Sequence, residues 1–265
     1  APFAEYLNSK GYAVCADDHL GHGLSVCGKD DLGYFNKQKS TDIVIEDIRT
    51  LQLKVKEEWG DKPCFILGHS MGSFFCRKYI SLYGKDFDGA IIMGSGFKGK
   101  CTLNFALFAV KLNALFCGWR NRSKLIKNLA FGSYNKRFKP ARTENDWLSK
   151  DPVNVDRYEA DNLCGFPFTN NGYYILFNII KQACSRKTVD AVPKDLPVFF
   201  VAGADDPVGD YGKGVKKAKE KFVKAGVKDV TIKLYPDARH EILNDDCKAE
   251  VREDIFAFIE NHCER

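Results

Sequence analysis

Gly68-His69-Ser70-Met71-Gly72 sets a serine between two glycines, just after the apolar run 64–67 and at the start of an amphipathic stretch, 71–83. A strand, tight turn and helix in that order expose the serine hydroxyl at a helix N-terminus, where backbone N–H groups can stabilise negative charge. Composition alone would produce Gly-x-Ser-x-Gly roughly 0.1 times in such a chain, so the setting carries more weight than the letters. Ser70 is the candidate nucleophile and the Met71 N–H a candidate oxyanion donor. So tight a turn predicts that both flanking positions must lack side chains. The plain alternative is that Ser70 is only a helix N-cap.

A serine hydroxyl needs a base to remove its proton, and the base needs an orienting carboxylate. Asp206 follows the apolar run 198–202, and His240 follows the run 230–234. Serine, acid and histidine thus occur in the chain order that a sheet with such a serine turn uses. Asp205 is the rival acid. His69, inside the turn motif, reads as a packing and hydrogen-bonding residue. His19 and His22 lie in a glycine-bearing loop that would shape the floor of the site, and Asp17 and Asp18 read as turn formers.

These residues must be positioned by regular elements. Residues 2–10 read as a helix and 12–16 as a short buried strand. Val44, Ile48, Leu51, Val55 and Trp59 mark one face of a helix over 42–59. Strands are expected at 64–67, 90–93, 198–202 and 230–234, and further helices at 71–83, 211–225 and 247–262. Alternating strands and helices predict an α/β fold, a mostly parallel sheet covered on both faces. The alternation breaks over 97–193, which reads as an inserted, mainly helical subdomain, leaving a discontinuous core of 1–96 and 194–265. Residues 103–117 are apolar around most of the circumference. They are too few to span a bilayer, and read as a buried helix or as a lid helix facing an acyl pocket or a membrane interface.

Hydrophobic residues make up 45% and charged residues 28% of the 265, a globular composition. No 18-residue uncharged apolar run and no repeat are present. The ten cysteines show neither Cys-x-x-Cys nor zinc-finger spacing, and read as reduced thiols of a cytoplasmic protein, with extracellular disulfides as the alternative. No metal or organic cofactor is implied. The net charge of +5 is uneven: residues 97–150 hold twelve Lys/Arg against Glu144 and Asp146, a net of +10, and the remainder sums to −5. Such a segment is either a solvated basic face or one drawn to anionic lipid. No Gly-x-Gly-x-x-Gly follows the first strand, which argues against dinucleotide binding, and no nucleic-acid motif accompanies the basic segment. Oligomeric state is not specified.

Four segments together carry a family resemblance: Asp18-His19-Leu20-Gly21-His22-Gly23-Leu24-Ser25, Gly68-His69-Ser70-Met71-Gly72, Gly203-Ala204-Asp205-Asp206-Pro207-Val208 and Ala238-Arg239-His240. The chain resembles the monoacylglycerol lipase, lysophospholipase and serine aminopeptidase branch of the α/β hydrolases. The resemblance implies Ser70 as nucleophile, Asp206 as acid (three residues after Gly203), His240 as base and the insert as a lid. It also implies cleavage of lipid-like carboxylic esters such as a monoacylglycerol or lysophospholipid through an acyl-enzyme. An aminopeptidase or short-chain esterase would use the same triad, and a non-catalytic hydrolase-fold protein or inactive fragment is the reading from another class. Two departures stand out. Leu20 occupies a position where the family usually has Arg, and the family's His-Gly segment, which supplies the second oxyanion N–H, has no counterpart. With no initial Met, the resemblance implies an N-terminally incomplete sequence lacking a donor worth about 10²–10³ in rate.

Overall fold

The computed structural model describes residues 2–263. Two strands are apolar throughout and buried along their whole length, β2 (Gly89–Met93) and β3 (Val198–Gly203). Runs of that kind suit the centre of a parallel sheet with both faces covered. β1 (Phe65–His69) pairs with β2, and β4 (Val230–Tyr235) with β3. All three pairings are parallel, in the order β1-β2-β3-β4. Ile92 stands opposite both Gly68 and Phe200, which puts the end of β1, and with it the serine turn, level with the ends of the central strands.

The two-residue period of the strands divides the core cleanly. Ala90, Ile92, Val198, Phe200 and Ala202 face α3 (Met71–Tyr83), α8 (Arg186–Asp190) and α9 (Lys213–Lys224), meeting Cys76, Ile80, Val189, Val192, Val215, Ala218 and Phe222. Ile91, Met93, Phe199 and Val201 face the other way, onto α1 (Pro2–Ser9) and α10 (Lys248–Glu260), through Leu7, Val251, Ile255, Phe258 and Ile259. Each large side chain so buried contributes about 1.5–3 kcal/mol. α2 (Thr41–Trp59) starts at Ser40, whose hydroxyl accepts from Asp42 N, and it packs Val44 and Ile45 beside Phe75 and Tyr79 of α3.

Between β2 and β3 lie α4 (Lys100–Cys117), α5 (Lys124–Phe131), α6 (Pro152–Ala160), α7 (Asn170–Ala183) and α8. α7 is the keystone. Thr169 caps its start by accepting from Gly172 N; Ile175 and Ile179 join the cluster around α3, and Tyr173, Leu176 and Phe177 join that of α4 and α5. The helical insert is therefore packed on the side that bears Ser70 and α3, and its last part belongs to the sheet's own core. Val189 and Val192, assigned to the insert by the break in periodicity, pack among the strands.

Two expectations differ from the structure. Residues 12–16 form no strand, and most are exposed, Val14 by 41%. Among the described residues no neighbouring strand bonds this segment, and an extended segment with no ladder has nothing to hold it. The apolar run 103–117 forms a helix that begins earlier, at Lys100, and only one face is buried, by Leu103, Ala106, Leu107, Val110 and Ala114. Phe105, Phe108, Leu115 and Phe116 stand 62–79% exposed. At 18 residues and mean hydropathy 1.3 this helix reaches the length and composition that could cross a membrane, although one face is occupied by α7.

Candidate active site

Ser70 sits between β1 and α3 with φ 54° and ψ −121°, a conformation that costs a non-glycine residue about 1–3 kcal/mol. Its N–H donates to Met93 O at the end of β2 (3.1 Å), and its carbonyl accepts from Ser73 N and Ser73 Oγ. The strained turn is thus bonded on both sides. Met71 opens α3, so its N–H is one of the first-turn donors with no intrahelical partner. The two flanking glycines are not equivalent. A Cβ on Gly68 would lie 2.4 Å from Gly72 O and 2.7 Å from Cys76 Cβ, whereas one on Gly72 meets nothing within 4 Å. The expectation that both positions must lack side chains holds only for Gly68, where helix and strand approach closely.

Asp206 and His240 are brought together. His240 Nδ1 lies 2.9 Å from Asp206 Oδ2, with the carboxylate fully buried and the histidine 2% exposed. Asp206 Oδ1 accepts from Val208 N (2.8 Å), which fixes the carboxylate in its turn. Asp205 looks elsewhere: its N–H bonds Ala238 O, and it lines a cavity of 340 Å³ with Arg137, Phe138, Lys150, Asp237 and Arg239. No hydrogen bond joins Ser70 Oγ to His240 among the described residues; contacts of this type often tighten only around a substrate.

Two further rings lie against His240. The His69 ring centroid is 4.6 Å away, and His69 Nε2 is 3.2 Å from His240 O. Burial, reinforced by the charge of His240, pushes His69 down to about 3, so it stays neutral at ordinary pH. Gly94, at φ 57°, makes room for both imidazoles, since a Cβ there would lie 3.0 Å from each. Trp147, from the 3-10 turn Asp146–Leu148, has its ring centroid 5.1 Å from that of His240. Sequence reasoning singled out neither Trp147 nor Arg77. Arg77 is fully buried in α3 and makes no carboxylate contact among the described residues; it donates to Gly96 O (2.8 Å) and Ala183 O (3.0 Å). It thereby ties α3, the helix that Ser70 precedes, to the start of the insert and to the end of α7. The available signal was a charge on the apolar side of the helix pattern, directly after Phe74-Phe75-Cys76 and before Tyr79-Ile80.

His22 lies among Phe35, Phe166 and Phe168, 5.2–5.4 Å away, and burial lowers its pKa. His19 bonds Asp17 at 3.3 Å, and Asp18 Oδ2 accepts from Leu24 N, closing the loop as a turn former does. Among the described residues no group of three or more His, Cys, Asp or Glu side chains could hold a metal ion.

Against known proteins, the family model described as serine aminopeptidase, S33, matches residues 1–247. The monoacylglycerol lipase of Mycolicibacterium smegmatis is 24% identical over 265 residues, covering 98% of this chain and 82% of that protein. The monoglyceride lipase of Rattus norvegicus is 24% identical over 242 residues, covering 89% and 69%. Among solved structures, a highly thermostable carboxyl esterase from Bacillus coagulans superposes with a TM-score of 0.91 at 30% identity, over 99% of this chain and 84% of that one. A lipase in its open form gives 0.86 at 25% identity, over 100% and 86%.

Proposed function

Because this chain belongs to the serine aminopeptidase S33 family and has the α/β-hydrolase fold, we propose that it hydrolyses lipid-like carboxylic esters, such as a monoacylglycerol or lysophospholipid, through Ser70, His240 and Asp206. The observation that carries the proposal is the buried 2.9 Å contact of His240 with Asp206, on loops that follow β4 and β3 at the same end of the parallel sheet as the Ser70 turn after β1. Ser70 Oγ attacks the ester carbonyl carbon while His240 Nε2 takes its proton, and Asp206 holds the other ring nitrogen and supports the imidazolium. The Met71 N–H stabilises the oxyanion. Collapse expels the alkoxide, which takes the proton from His240 and leaves an acyl-Ser70. Water, deprotonated by His240, then releases the fatty acid and restores the serine.

The lipid preference is supported by the names of the relatives and by the insert. Residues 97–193 act as the lid in this reading. The exposed Phe105, Phe108, Leu115 and Phe116 of α4 and Leu125 of α5, with Lys100, Lys111, Lys124 and Lys127 on the same two helices, suit peripheral contact with an anionic lipid surface. The cytoplasmic setting that belongs to this proposal rests on the sequence, whose ten cysteines read as reduced thiols.

Fluorophosphonate labelling and glycerol release from a monoacylglycerol test the reading. Ser70→Ala should lose labelling and at least about 10⁴-fold in kcat. Undiminished turnover in Ser70→Ala would overturn it. Preferential turnover of aminoacyl amides or of short-chain esters by the wild-type protein would keep the triad but replace the substrate class.

A further inference from the structure

One segment of the insert is laced to the loop that carries His240. Glu241 N donates to Leu148 O (2.7 Å), and the Arg239 guanidinium donates to Asp146 O (2.5 Å) and Ser149 O (3.0 Å). Asp245 Oδ2 accepts from both Arg239 N and Lys150 N, and Asn154 Nδ2 donates to Glu241 Oε2 (2.6 Å). Residues 146–154 are thereby fixed against residues 239–245. At the centre of this lacing is Trp147, 9% exposed, held by Phe131 (6.3 Å, stacked) and Tyr134 (4.8 Å, edge-on) and tilted 43° to the His240 ring.

We infer that Trp147 is a positioning residue for the base: its indole holds the His240 ring against Asp206 and stabilises the imidazolium formed when His240 takes the Ser70 proton. The inference rests on the triad reading above. An indole attracts a cation within about 6 Å of its centroid, and does so more strongly where water is excluded. His240 is nearly inaccessible and meets that distance. The attraction acts only on the charged form, so it favours imidazolium over imidazole. The other groups facing His240 leave this effect legible. Asp206 approaches from the loop after β3 and bonds Nδ1. His69, from the end of β1, remains neutral. Tyr134, buried beside Asp206, has its phenol pushed up by burial and is neutral as well. Arg239 and Glu241, the chain neighbours of His240, are engaged by the insert.

The test is the pH dependence of kcat/KM on a p-nitrophenyl ester, measured on the full chain. Trp147 is replaced by Phe, by Leu, and by tryptophans carrying one to three ring fluorines, introduced at this position alone. Fluorination weakens the ring quadrupole while nearly preserving shape. Less stabilised imidazolium means the free base persists to lower pH. The acid limb should therefore move to lower pH stepwise with fluorination, and by about half to one unit in Trp147→Leu, with Trp147→Phe between. kcat should fall while KM stays nearly constant. An acid limb that stays in place across the fluorinated series overturns the inference, and that series decides even if Trp147→Leu does not fold. Ser70→Ala separates the two claims: turnover retained there sinks the triad, whereas a dead Ser70→Ala with an immobile acid limb sinks only the role of Trp147.

Discussion

Adding one methyl group on either side of Ser70 should have opposite consequences. In Gly68→Ala the new Cβ would sit 2.4 Å from Gly72 O and 2.7 Å from Cys76 Cβ, one a backbone atom of α3 and the other fixed directly to it. Neither can retreat unless the helix lifts off β1, so the cost falls in the overpacking range, about 1–3 kcal/mol. In Gly72→Ala the Cβ meets open space, and Gly72 lies in the first turn of α3 outside the left-handed region. Removing a helical glycine there should gain up to about 0.5–1 kcal/mol. The two variants should therefore differ by about 2–4 kcal/mol, or roughly 5–15 °C in Tm for a chain of this size. Urea and thermal unfolding followed by circular dichroism would measure the gap, with equal m-values checking that the same transition is compared. Equal destabilisation of both variants would refute the reasoning, since it would mean that the turn itself, and not the approach of helix to strand, excludes side chains.

Ser70→Gly should abolish turnover yet raise stability by about 1–2 kcal/mol, because it relieves the strained φ of 54°; a destabilised variant would show that the hydroxyl, and not the strain, dominates. Asp206→Asn should lower kcat by about 10⁴, while Asp205→Asn, whose side chain lines a separate cavity, should change it less than about tenfold; comparable losses would contradict the assignment. His69 binds its proton near pH 3 in the folded protein but near 6.5 when unfolded, so below pH 6.5 the unfolded state holds more protons and stability falls with pH. Between pH 7 and 5 this one group should remove roughly 2 kcal/mol, and His69→Gln should flatten the decline by that amount in urea titrations at the two pH values; parallel declines would refute it.

Much of the site was legible in the chain because its signals are local or periodic. An apolar run, a glycine-flanked serine and a helix-spaced stretch each announce themselves within a dozen residues, and β1, α3, β2, β3, α9, β4 and α10 all formed within a few residues of the expected bounds. The order Ser70, Asp206, His240 is likewise a property of the chain, as is the basic character of residues 97–150. Periodicity misled where a segment needed a partner: residues 12–16 have strand-like composition but no neighbouring strand to bond them among the described residues.

What only the tertiary structure decided depends on atoms distant in sequence. Asp205 and Asp206 are chemically identical neighbours, and the turn after Gly203, with Val208 N on Asp206 Oδ1, determines which carboxylate reaches His240. Gly68 and Gly72 look symmetrical around Ser70, yet only one lies where helix meets strand. The apolar surface of α4 divides into a buried and an exposed half because α7 can cover only one side. Trp147 reaches His240 across 93 positions of chain, through an insert whose backbone is bonded to the histidine loop. Residue types and spacings named the candidate groups; long-range packing determined which of them face one another.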